Sequence, residues 1–354
     1  MMVKVGAERK QEFNKELRFK RQADYDINQY ELVDHEFKAG HRRVYKNLNF
    51  SIFVDDYCNA DCKFCVAQLR YSHRKLLYEK KHIEDRDKYL ERLENVLKAV
   101  RTLNPSVSIT GGEPTLSPVL PDILELVDRY DFRKRTITTN GSGLLMVRDN
   151  ATVLEHLMKK RWQHLNISRA HFDDDVNRQI MRYQVESEYC DSQMLKEILD
   201  ITAGTELKHR LSCLLLKDGI GSVESMKRYL DFHGKLGADN FIFRELMDYD
   251  KKAVNLEKIK YCTDNKIRLN DIWGQLDNDK EFEPYLNILG YYYYVEIYKY
   301  HNMTVAGESA NLNQQYIEKE KHRDTVYEMI FHTNGNLCGS WVEGEEILDE
   351  YQER

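Results

Sequence analysis

From Asn47 onward, short apolar runs with strand-like alternation take turns with longer segments whose apolar residues recur every three or four positions. Leu48–Val54 reads as a first strand. The charged stretch from Asp85 to Arg101 then carries Leu90, Leu93, Val96, Leu97 and Val100, the spacing of one helix face. Further strands are predicted at Pro105–Thr110, Arg135–Thr139, His164–Ser168, Arg210–Leu216 and Asn240–Leu246. Helices fall between them at Val119–Val127, Val153–Met158, Met194–Ile201 and Val223–Leu236. Such an alternation predicts an α/β fold with a parallel sheet and helices outside it. Its six strands are fewer than the eight of a closed (β/α)8 barrel.

The flanks read differently. Residues 1–45 are polar and charged, with Lys, Arg, Glu and Tyr spread from Lys10 to His41, and predict an N-terminal extension: one helix with an extended lead-in, or a partly disordered arm. Residues 46–250 hold the β/α core, and residues 251–354 predict a small α+β C-terminal domain that covers the substrate. In that domain Tyr291–Tyr294, Tyr298 and Tyr300 alternate with Val295 and Ile297, either as an ordinary sheet surface or as a stacking wall for a base, sugar or peptide ring. Tyr327–Cys338 reads as two short strands around an Asn334-Gly335 turn.

Composition narrows the class. The 354 residues contain 53 basic and 59 acidic side chains, a net charge of −6, which gives no global pull towards nucleic acid or an anionic membrane. No apolar run is long enough to span a bilayer. The seven cysteines are odd in number and crowd three into one loop, so they do not read as a disulfide framework and predict a reducing, cytoplasmic location.

That loop is Cys58-Asn-Ala-Asp-Cys62-Lys-Phe-Cys65, just beyond the first strand. Three thiolates can hold three irons of a cubane [4Fe–4S] cluster and leave the fourth iron open to a small molecule. Zinc and simple packing in the core are the competing readings. Zinc is weakened by the lack of a fourth ligand at structural spacing, the nearest candidate, His73, standing eight residues past Cys65.

With the aromatic Phe64 before the last cysteine and Gly111-Gly112-Glu113-Pro114 further along, the loop resembles the signature of the radical S-adenosylmethionine (radical SAM) enzymes. The resemblance implies a partial (β/α)6 barrel, with SAM chelating the open iron. It also implies a reduced cluster that cleaves SAM to methionine and a 5′-deoxyadenosyl radical, which abstracts hydrogen from substrate. It assigns Cys58, Cys62 and Cys65 as cluster ligands. SAM is expected along Phe64, Gly111, Gly112, Glu113, Pro114, Thr139 of a Thr-Asn-Gly turn, Ser168 and Met247. All of these fall at or near the carboxyl ends of predicted strands, where chemistry gathers in parallel α/β folds.

Arg169, His171, Arg210 and Arg244 are candidate contacts for an anionic part of the substrate. The last strands are similar to those of the GTP cyclase branch of molybdenum-cofactor biosynthesis. The motif for that branch's second cluster is missing, because Cys190, Cys213, Cys262 and Cys338 are widely scattered. A small polar substrate, such as a nucleotide, nucleoside or sugar derivative, is therefore expected. The alternatives are radical SAM modification of a peptide or protein, and a non-catalytic iron–sulfur electron-transfer module. The expected partners are the substrate and an external one-electron reductant such as flavodoxin or ferredoxin.

Overall fold

The computed structural model describes residues 3–4, 25–26, 31–184, 189–247, 253–290, 292–310 and 312–352. Most of the Lys10–His41 stretch and Tyr291 lie outside the described residues. Where that stretch is described, it is neither helix nor arm. Strand β1 (Leu32–Phe37) turns at Gly40 and pairs antiparallel with the start of β2 (Gly40–Phe53), a strand longer than its apolar run suggested.

The β/α alternation continues with helix α1 (Arg74–Tyr78), α2 (Arg86–Val100), β3 (Ser106–Thr110), α3 (Leu120–Asp128), β4 (Lys134–Thr139), α4 (Val153–Lys159) and β5 (His164–Ser168). Next come α5 (Asp174–Met181), α6 (Ser192–Thr202), β6 (Lys208–Leu214), α7 (Val223–Leu236) and β7 (Asn240–Arg244). Local chemistry sets many boundaries. The Asp85 carboxylate caps α2 by accepting from Lys88 N at 3.0 Å, Thr152 and Glu155 form a capping box on α4, and Gly237 ends α7 at φ 108°. Helix α5 starts where it does because the Asp173 carboxylate accepts from Asp175 N and Val176 N, both at 3.0 Å.

Strands β2 to β7 pair in parallel in the order β2-β3-β4-β5-β6-β7, the partial barrel. The C-terminal third adds α8 (Leu256–Asn265), α9 (Leu269–Leu276), β8 (Phe282–Leu289), β9 (Tyr293–Tyr300), β10 (Met303–Ala310), α10 (Leu312–Lys321), β11 (Thr325–Phe331), β12 (Leu337–Cys338) and β13 (Ile347–Asp349). Its strands join the same sheet. Strand β10 pairs parallel with β7 at one edge and β11 parallel with β2 at the other, so the parallel run widens without closing.

Side chains alternate across this sheet with different consequences on its two faces. Phe50, Ile52, Val107, Ile109, Ile137, Leu165, Ile167, Leu211, Phe241 and Phe243 are buried in the helix-side core. The alternate positions Ser108, Thr138, Asn166, Ser168, Arg210, Ser212 and Arg244 are polar. Parallel strands covered on both faces are apolar throughout, so this alternation marks a concave face that is not core. The tyrosines of β9 divide likewise: Tyr294, Tyr298 and Tyr300 join the helix-side core, where Tyr298 donates to Asp277 Oδ1 at 2.7 Å and Tyr300 to Asp231 Oδ1 at 3.0 Å. Tyr293 packs with Ile242, Val295 and Ala306. No described helix is long and apolar enough to cross a membrane.

Candidate functional site

The cysteine loop leaves β2 and is sewn to the end of α5 and the residues just beyond it. Asp61 N donates to Arg182 O at 3.0 Å, Lys63 N to Ile180 O at 3.1 Å and Gln184 N to Asn59 O at 2.8 Å. Phe64 and Cys62 pack against Ala170, Ile180, Met181, Leu246 and Cys262, so the aromatic residue anchors the loop in a small apolar cluster of its own. From α8 the buried Lys258 donates to Cys62 O at 2.6 Å and to Asp61 Oδ1 at 2.9 Å. On the other flank, Arg74 of α1 donates to Cys58 O, as does Tyr78 at 3.5 Å.

All three thiols are free. Burial, then the nearby Glu113, pushes Cys58 up to about 12. Burial also raises Cys62 and Cys65, with the other two thiols adding to the effect at Cys62 and Lys258 opposing it at both. Among the described residues no group of three His, Cys, Asp or Glu side chains could hold a metal ion. Tetrahedral zinc needs ligands that converge on one point, whereas a cubane takes one thiolate at each of separate corners. Three thiols on one pinned loop, each destabilised as a lone anion, fit the cluster as a donor set, and iron would supply the missing countercharge.

The segment Gly111–Pro114 follows β3 and lies against the backbone entering the cysteine loop. Gly112 N donates to Asp55 O and Glu113 N to Tyr57 O, both at 2.7 Å. A Cβ on Gly111 would stand 2.6 Å from Asp55 O, and Gly111 has φ 156°. The glycine pair is thus required first by this backbone approach. The Glu113 carboxylate is buried and accepts from Thr115 N at 3.0 Å, Asn140 N at 2.6 Å, and the hydroxyls of Thr115 and Thr139. Burial nevertheless holds its affinity for a proton above the usual carboxylate range. Pro114 opens the 3-10 turn Pro114–Leu116 that Glu113 caps.

Thr139, buried at the end of β4, accepts from Gly141 N at 2.9 Å. Asn140 donates to Asn59 Oδ1 at 2.8 Å, and Asn59 in turn donates to Ser142 Oγ at 3.0 Å, which ties the end of β4 to the cysteine loop. Ser168 ends β5 beside Ser212 of β6, half-buried, and Met247 follows β7, also half-buried. The strand ends therefore bring the cysteine loop and the Gly111, Thr139 and Ser168 segments to one end of the sheet.

The four basic candidates separate. Arg169 is buried, with Nη1 donating to Cys190 O at 2.9 Å and Nη2 to Asp174 and to Ser192 Oγ at 2.9 Å, so these nitrogens are committed to protein partners. His171 Nδ1 accepts from Asp173 N at 3.0 Å, its ring stacks on Phe172 at 4.2 Å, and burial lowers its pKa. Arg210 and Arg244 belong to the concave row instead. Arg210 Nε donates to Asn166 Oδ1 at 3.0 Å, and Arg244 donates to Ser212 Oγ at 2.6 Å and to Glu308 Oε1 at 3.0 Å. Burial and then Arg244 pull Arg210 down to about 10.

Sequence reasoning missed Asn59, Lys258, Ser212 and Glu308. Asn59 had a signal, because it lies inside the cysteine motif. Lys258 and Glu308 had none, since they reach the site from 193 and 243 residues beyond Cys65 through tertiary packing alone.

Known proteins resemble this chain over part of its length. Residues 52–191 match the family model of the Radical SAM superfamily. The GTP 3′,8-cyclase of Marinobacter nauticus is 31% identical over 142 residues, 40% of this chain and 38% of that protein. The probable GTP 3′,8-cyclase of Thermoplasma volcanium is 29% identical over 131 residues, 36% of this chain and 35% of that protein. The match thus spans well under half of either relative. The crystal structure of Streptococcus suis SuiB bound to S-adenosylmethionine is similar in fold over 86% of this chain and 63% of that one, with TM-score 0.50 and 17% identity.

Proposed function

We propose that the chain, whose residues 52–191 match the Radical SAM superfamily model, reductively cleaves S-adenosylmethionine at a [4Fe–4S] cluster held by Cys58, Cys62 and Cys65 and removes hydrogen from a small polar, nucleotide-like substrate. When bound, the cluster and SAM supply a 5′-deoxyadenosyl radical, and the protein supplies position and protection. Because the Glu113 carboxylate is engaged internally, the Gly111–Pro114 segment would serve SAM through its backbone, with Glu113 as a positioning residue. Thr139, Ser168, Phe64 and Met247 complete the assigned surroundings of SAM. Residues 1–45 are assigned as an extension, 46–250 as the barrel and 251–354 as the region that completes the substrate side.

The observation that carries the substrate class is the polar concave row from Ser108 to Arg244. Those groups bond to one another, Arg210 to Asn166 and Arg244 to Ser212 and Glu308, so the wall that faces the substrate is polar and hydrogen-bonding and suits a polar ligand better than an apolar one. The like-charged neighbours Arg210 and Arg244 suit an anionic group, and the GTP cyclases among the relatives support a nucleotide.

The test is anaerobic reconstitution with iron and sulfide, reduction by dithionite, and chromatography for 5′-deoxyadenosine, followed by screening of nucleotides, sugars and peptides for stimulated turnover. Slow uncoupled 5′-deoxyadenosine, accelerated by a nucleotide and weakened in KM by Arg210→Ala and Arg244→Ala, is the expected result. Acceleration by peptides alone would overturn the substrate assignment. An intact cluster with no SAM binding would leave an electron-transfer module.

A further inference from the structure

We propose that Trp341 is the stacking platform for the base of a nucleotide ligand. The inference rests on the nucleotide reading above and deepens it. Its starting point is the register of β11 against β2. Met329 stands beside Phe50 and Phe331 beside Ile52, all four in the helix-side core, which leaves Glu328 beside Asn49 and Ile330 beside Ser51 on the concave face. The indole N–H of Trp341 donates to Glu328 Oε2 at 3.0 Å, so the ring lies on that concave side, at the β11 edge.

The ring is held but not covered. Trp341 is 47% exposed, whereas Trp162 and Trp273 are buried. Its anchor is itself fixed, because Glu328 also accepts from Gln315 Nε2 at 3.2 Å and from Lys319 Nζ at 3.3 Å. The turn that carries it is pinned too: His332 Nε2 donates to Ser340 O at 3.0 Å, and Ser340 Oγ accepts from Val342 N at 3.1 Å. A large aromatic face fixed at one edge and left open meets a ligand at little cost in side-chain ordering.

The surroundings select a base. Asn49, beside Glu328, spends its amide N–H groups on the hydroxyls of Ser51 and Ser108, both at 2.8 Å, and its carbonyl oxygen has no partner among the described residues, an acceptor for an N–H on the edge of a base. Further round the same face, Arg210 and Arg244 supply cations for the anionic group. Tyr292 joins the two sides: burial, then Glu328 and then Glu308, raises its pKa, and Arg244 opposes them. One side chain thus feels the β11 edge and the β10 edge together, so the two edges of the curled sheet face each other. A π face beside an acceptor and opposite cations matches a nucleotide, whereas a bare sugar phosphate offers nothing to stack.

Trp341 is the exposed one of the chain's three tryptophans, so its fluorescence reports on the site itself. The experiment titrates the full chain with GTP, ATP and ribose 5-phosphate, exciting the indole beyond nucleotide absorption, and measures affinities for the same probes by equilibrium dialysis in the parent, Trp341→Phe and Trp341→Leu. GTP or ATP is expected to quench the parent. Trp341→Phe, which keeps a ring, should lose the quenching and bind within about threefold of the parent, and Trp341→Leu should bind about tenfold more weakly, a factor within the range that base stacking contributes. Ribose 5-phosphate should neither quench nor separate the variants.

Nucleotide binding with unchanged fluorescence would overturn the proposal, as would equal nucleotide affinities in the parent and Trp341→Leu, or quenching by ribose 5-phosphate to the same extent as by GTP. Binding of neither nucleotide would overturn it together with the substrate reading. Quenching and weakened binding in a chain whose 5′-deoxyadenosine output no nucleotide accelerates would uphold the platform and refute the substrate reading alone.

Discussion

A methyl group on Gly112 would stand 2.0 Å from Tyr57 O, backbone against backbone, so neither side can give way cheaply. Gly112→Ala is expected to displace the entry to the cysteine loop and to lower the iron retained per chain after reconstitution, measured by iron assay and by loss to a chelator. Cys62→Ala should abolish cluster absorbance outright. His233 carries a different signal. It is fully buried, its Nδ1–H donates to Tyr229 O at 2.8 Å, and burial, then Arg169, lowers its pKa from 6.5 to about 3. The unfolded chain therefore binds the extra proton first. Stability is unaffected above pH 6.5 and falls as pH drops from 6.5 towards 3, by about 1.4 kcal/mol per unit at most. Urea midpoints at pH 7 and pH 5 should draw closer together in His233→Gln than in the parent.

Between elements, Glu113 links the 3-10 turn after β3 to the end of β4, and Lys258 links α8 to the cysteine loop. Glu113→Ala removes the acceptor of four donors in two elements, and hydrogen bonds to a charged group are worth roughly 1.5–3 kcal/mol each. A loss of at least about 3 kcal/mol in denaturant unfolding is expected, with Glu113→Gln milder because it keeps one acceptor oxygen. Lys258→Met keeps most of the packing but releases Cys62 O and Asp61. It should leave the overall fold intact and speed cluster loss to a chelator, which distinguishes a loop anchor from a general stabiliser.

At the scale of the molecule, the C-terminal strands hold both edges of the barrel sheet, and a buried ion pair locks one of them. Arg92 of α2 donates through Nε to Gly335 O at 2.8 Å and through Nη2 to Asp349 O at 3.0 Å, while pairing with the Asp349 carboxylate at 2.9 Å. Close by, buried Asp56 pairs with Lys80 at 3.0 Å, which also faces Glu343 of the C-terminal hairpin at 3.6 Å. Removing one partner of a buried pair costs about 3–5 kcal/mol. Arg92→Ala should therefore lower the unfolding midpoint sharply and open the chain beyond β11 to limited proteolysis before the barrel is cut.

The β/α rhythm was legible in the chain because each element's period follows from its own geometry, so Val223–Leu236 and His164–Ser168 appear in the structure with the bounds that their patterns predict. The cysteine triad and the Gly111–Pro114 turn were legible for the same reason: three ligands on one loop and two small residues at a strand end are local facts. What only the tertiary structure decided depends on distance in sequence. The commitment of Arg169 to Asp174 and Cys190, the buried charge of Lys258 against Cys62 O, and the addition of β10 and β11 to opposite edges of one sheet arise from pairings across the fold. No local period encodes such a pairing, because its energy exists only once both partners have left water together.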